Sequence, residues 1–135
     1  MRRTLLIGLA GLGALCAPAL AAPERRVLAM DFAKADLQVL ANQVASTARR
    51  CWLARGPAFE TFRVERIEPG RQPASYQVVF SDRTATRMQP GRHLRLIVAH
   101  DKASTVIVAE QEGVDIRDAI GRDAETLIKG RVVTC

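Results

Sequence analysis

The sequence predicts an α+β protein, a two-layer sandwich in the order helix, four-stranded antiparallel sheet, helix. Three observations predict it. Leu37, Leu40, Ala41, Val44, Ala48, Cys51 and Trp52 recur at steps of three and four, which marks one face of a helix. Apolar segments later in the chain alternate with period two and are joined by short connections, so they are antiparallel neighbours. A second helical pattern follows them: Ile116, Ala119, Ile120, Ala124, Leu127 and Ile128. Helices at the two ends of an antiparallel meander pack together on one sheet face.

The first helix is expected over residues 32–54. Asp31 or Asp36 can cap its start, because a carboxylate accepts the free N–H groups of a first turn. Arg49, Arg50 and Arg55 complement its carbonyl end, and Gly56-Pro57 stops it. Trp52 reads as a core anchor rather than a ligand-stacking group. Before this helix, residues 26–30 can add a strand.

Four strands are expected after it, over 61–68, 75–81, 93–100 and 105–110. Pro69-Gly70 and Pro90-Gly91 are turn pairs. Tyr76, Val78 and Phe80 alternate with Gln77, Val79 and Ser81. Leu94, Leu96 and Val98 are assigned to the core side, as are Val106 and Val108. Asp115 is the expected cap of the last helix, and Gly130 ends it.

The amino terminus reads as a secretory signal peptide, residues 1–21. Arg2 and Arg3 precede an apolar run from Leu5 to Leu20, and Ala19-Leu20-Ala21 offers small residues for cleavage. Residues 22–135 are then one domain, expected in the periplasm or outside the cell. Leu15 before Cys16 argues against a lipid-modified cysteine. No later apolar run is long enough to span a membrane. Loss of Arg2 and Arg3 leaves 18 basic against 14 acidic side chains, a net charge of +4 spread along the chain.

Removal of Cys16 with the signal leaves Cys51 and Cys135. An even count in a short exported chain predicts a disulfide between them. A buried free Cys51, a reactive thiol and a Cys135 that joins two copies are the alternatives.

Cys51-Trp52 after the first helix, Gly56-Pro57-Ala58-Phe59, and the closing Gly130 and Cys135 together resemble small uncharacterised envelope proteins of proteobacteria. The resemblance implies export and a disulfide, and no known activity. Ile128 departs from it, since many such relatives carry Trp in the last helix.

No metal or cofactor motif is present. His93 and His100 are seven apart on one strand, so they point to opposite faces and cannot share an ion there. Scattered basic residues and few aromatics argue against nucleic-acid binding. Ser81-Asp82 and His100-Asp101 lie at strand ends, which keeps a small periplasmic hydrolase near Ser81 and His100 as the alternative function. The sheet face away from the helices is expected to carry Val79, Arg95, Ile97 and Ile107, apolar at its centre and basic at its edge. The chain therefore reads as a binding or structural domain rather than an enzyme. That face is the expected contact surface for a protein partner or an anionic envelope component.

Overall fold

The computed structural model describes residues 23–135. The expected signal peptide lies outside them. The elements are β1 (Glu24–Asp31), α1 (Leu37–Arg50), β2 (Phe62–Pro69), β3 (Ser75–Asp82), β4 (His93–Asp101), β5 (Ser104–Glu112) and α2 (Arg117–Ile128). The sheet runs β1-β5-β4-β3-β2, and every neighbouring pair is antiparallel. The α+β class holds. The sheet has five strands rather than four, because the segment before α1 is a full edge strand. A strand therefore precedes the first helix.

Residues 32–36 do not join α1. Side chains of the sheet hold their backbone instead. Ala35 N donates to Thr105 Oγ1 (2.9 Å), and Thr105 Oγ1 donates to Ala33 O (2.7 Å). The His100 ring reaches Ala35 O at 2.8 Å. These bonds replace the ladder a helix would have offered. Asp36 becomes the cap, its Oδ1 accepting from Val39 N at 3.1 Å. Asp31 belongs to β1.

The α1 face that packs on the sheet is built from Leu40, Ala41, Val44, Ala45 and Ala48. Its alanines are fully buried, and their small size lets the helix lie close to the strands. The helix ends at Arg50, and a single 3-10 turn, Trp52–Ala54, carries the chain onward. Trp52 is buried in the core, and its Nε1 donates to Asp123 Oδ2 at 2.8 Å. Arg55 Nη1 reaches the same oxygen at 2.8 Å. The indole thus ties the turn after α1 to α2 while its polar edge stays satisfied.

α1 lies across β2, β3 and β4, and α2 across β1 and β5. α2 begins one residue later than an Asp115 cap would set: Ile116 is the cap, without a side-chain bond, and Asp115 Oδ1 accepts from Arg117 N (3.1 Å) just before it. Buried Gln111 bonds both Asp115 and Ile116 N, which joins β5 to α2. α2 ends with Gly130 at φ 74°. Gly130 N donates to Leu127 O and Arg131 N to Thr126 O, the paired bonds of a Schellman ending. Residues 131–135 then run back to α1. Cys51 and Cys135 form a disulfide with Cα atoms 5.3 Å apart.

The phase of β5 is opposite to the expectation. Asp101 pairs with Ser104 across a two-residue turn, which places Val98 opposite Ile107 and Leu96 opposite Ala109. Directly paired residues share a face. Ile107 therefore points to the helices and is 1% exposed, while Val106 and Val108 lie on the other face. Lys102 accepts positive φ (54°) to make this turn.

Candidate binding face

The sheet face away from the helices is ordered in rows by the strand register. One row is charged: Arg66, then Val79, Arg95, Glu110 and Arg25. The next is Glu68, Gln77, Ile97, Val108 and Val27. A third is Ser75, Ala99, Val106 and Met30. Val79, Arg95 and Ile97 are thus on this face as expected, and Ile107 is not. Val108 and Val106 stand on β5 in its place. Toward the β1 edge the face is apolar and open, with Val27 58% and Met30 56% exposed.

Its charged groups hold one another. Arg25 reaches Glu110 Oε2 through Nε (3.0 Å) and Nη2 (2.9 Å), and the His93 ring meets Glu110 Oε1 at 2.9 Å. Burial pushes the Glu110 carboxyl up, but these two partners outweigh it and hold it below the ordinary carboxylate range. Arg66 Nε donates to Glu68 Oε2 at 2.7 Å and is the main cause of the low pKa of Glu68. Gln77 Nε2 donates to the other Glu68 oxygen. The Gln77 carbonyl oxygen faces Arg95 Nη1 at 3.5 Å, too long for a firm bond.

The turn between β2 and β3 overhangs this face. Gly70 N donates to Ser75 O (3.0 Å), and Ser75 Oγ donates to Gln72 O (2.7 Å). A side chain at position 70 would collide with Ser75 Oγ and force it off its bond to Gln72 O, so glycine suits the fold of this turn. Beneath it lies a cavity of about 50 Å³, walled by Arg25, Arg71, Arg95 and Glu110 over Gln77 and Ile97. Arg95 Nε is buried there and has no acceptor. Arg71 forms no ion pair among the described residues. Sequence reasoning found Arg95 but missed Arg25 and Arg71. Their spacing in the chain carries no sign that a turn and an edge strand bring them together.

A second concavity, about 420 Å³, is a shallow groove between α1 and the tail after α2, lined by Val39, Ser46, Arg50, Leu127, Val132 and Val133. Arg50 Nη1 donates to Val133 O (3.0 Å) across its end.

Ser81 and His100 do not meet. The register pairs Phe80 with Leu94, so they lie at opposite ends of the β3–β4 pair, about 20 Å apart. They are also on opposite faces. Ser81 Oγ accepts from Arg63 Nε (2.9 Å), and His100 is bonded to Ala35 O. Asp82 is a clamp for the loop after β3: its carboxylate accepts from Thr84 N (3.0 Å), Thr84 Oγ1 (2.8 Å) and Arg92 N (2.8 Å). No cluster of metal-ligating side chains is found among the described residues, and none of their helices is long and apolar enough to cross a membrane. Comparison with family models, curated proteins and solved structures finds no match to this chain.

Proposed function

We propose that the protein is a small exported binding domain whose open sheet face takes a partner in the bacterial envelope. The observation that carries this reading is the division of that face. A row of charges, Arg66, Arg95, Glu110 and Arg25, borders rows that are polar at Glu68, Gln77 and Ser75 and apolar toward β1 at Ile97, Val108, Val27 and Met30. Such a face suits a ligand with both acidic and apolar groups. The Cys51–Cys135 disulfide supports an oxidising compartment, as does the signal-like amino terminus. The resemblance to small envelope proteins points the same way. A hydrolase finds no support at Ser81 and His100, which are held apart.

The test is substitution at the centre of the face. Ile97 is half-buried on the open side, away from the helices. Ile97→Asp should lower association with envelope components at least tenfold in a crosslinking and sedimentation assay. Its thermal unfolding should stay close to that of the parent. Equal association of both proteins would reject the reading.

A further inference from the structure

We propose that Arg95 and Arg71 form a carboxylate-binding site beneath the β2–β3 turn. The proposal deepens the reading of the open face as a binding surface and rests on it for the larger ligand only.

The charges around the cavity are unequal in their commitments. Three guanidinium groups, Arg25, Arg71 and Arg95, and one carboxylate, Glu110, line it. Glu110 is held by Arg25 and His93. Glu68 is held by Arg66 and Gln77, and Glu65 by Arg66. Among the described residues Arg71 and Arg95 form no close ion pair, although the Arg95 charge also helps to hold Glu68 ionised. Arg95 is directly paired with Glu110 in the register, yet that carboxylate is bonded to the neighbours on either side.

A buried guanidinium donor without an acceptor is costly, because its water has been removed and nothing has replaced it. Arg95 Nε is in that position. Arg95 as a residue nevertheless lines the cavity, so a carboxylate there would offset the charge of this poorly compensated guanidinium. The two Nη groups of arginine form a planar fork whose spacing matches the two carboxylate oxygens. Arg71, carried by the overhanging turn, brings a second cation to the same space. The cavity, about 50 Å³, has room for a group of a few heavy atoms and not for a whole sugar or side chain. Glu110 in its wall disfavours a doubly charged phosphate and leaves a singly charged carboxylate as the better match. Ile97 in the lining suits the carbon that bears it.

The carboxylate can come from a free small acid or from a group along an acidic chain. Arginine Nε–H signals of the isotopically labelled protein, followed by NMR, distinguish them. Acetate, a galacturonate oligomer and inorganic phosphate are the three probes, at constant ionic strength. Acetate and the oligomer should both shift the Arg95 and Arg71 Nε–H signals. Tighter binding of the oligomer at equal carboxylate concentration identifies a chain as the ligand. Equal binding identifies a free acid. Phosphate should bind more weakly than acetate. Arg95→Lys keeps the charge and loses the fork, and Arg71→Gln removes the second cation. Each should weaken acetate binding roughly tenfold, whereas Arg63→Gln, on the same face beside Ser81, should leave it unchanged. Unmoved Arg95 and Arg71 signals in the parent protein would overturn the site, as would phosphate binding more tightly than acetate or an equal loss in Arg63→Gln. The wider binding face would survive such a result if Ile97→Asp still weakens envelope association.

Discussion

Asp82 shows how much one side chain organises. Its side chain is 2% exposed at the end of β3, and its carboxylate gathers the backbone of Thr84 and Arg92 from the two ends of the following loop. Burial alone would raise its pKa, but the N–H and hydroxyl donors around it overcome that and hold it well below the usual carboxylate range. The folded-state pKa is thus below that of the unfolded chain. Asp82 adds stability above about pH 4, and that contribution is lost as pH falls through the acid range. Asp82→Asn should cost roughly 2–3 kcal/mol at neutral pH, because the new amide turns donors toward donors. It should also flatten the acid limb of a urea-denaturation series run against pH. An unchanged acid limb would mean that the clamp is not what titrates. The sequence marked Ser81-Asp82 as a pair, but only the loop's return path shows that the acid is structural.

Gly130 carries the end of α2 at the scale of the element. Its φ of 74° permits the two bonds that close the helix and turn the tail toward α1. A Cβ there would meet no neighbouring atom, so the strain of Gly130→Ala is conformational alone. The variant should lose about 1 kcal/mol in thermal or urea unfolding. A loss much larger than that would show that the tail's path depends on more than this hinge. This ending was legible in the sequence, as were α2 and the alternations of β3 and β4. The rest was hidden for identifiable reasons. Val106-Ile107-Val108 is apolar on both faces, so its phase cannot be read from composition. The two-residue turn at Lys102 and Ala103 fixes it. β1 was legible only as an optional strand over residues 26–30; its polar start, Glu24-Arg25, obscures its full length and its place at the sheet edge. The start of α1 was misplaced because Thr105 and His100, far along the chain, hold residues 33–35. Half of the charged cavity depends on the overhanging turn and on β1, and neither contribution has a local signature.

The disulfide acts on the whole molecule. It joins positions 84 apart, and closing a loop of that size restricts the unfolded chain by roughly 4.5 kcal/mol in the entropy model. Urea unfolding of the Cys51→Ala/Cys135→Ala double variant should show a loss of about that size, less any strain released. A loss below about 1 kcal/mol would mean that the tail is held mainly by Val133 and Arg50. The covalent ring, however, runs from residue 51 to residue 135, and β1 lies outside it. That placement sets an order of events for the folding chain. β2 to β5 are successive neighbours that can pair by short hairpins. β1 must wait for β5, since Glu24 pairs with Gln111, 87 positions later; the disulfide shortens that path, but 27 residues from Glu24 to Cys51 and 24 from Cys135 back to Gln111 still make a loop far longer than any hairpin of the meander. The rate-limiting nucleus is therefore expected in the meander, with β1 docking afterwards. In stopped-flow experiments, Leu96→Ala on β4 should slow folding, whereas Leu28→Ala on β1 should leave the folding rate nearly unchanged and speed unfolding. A slowed folding limb for Leu28→Ala would place β1 in the nucleus instead.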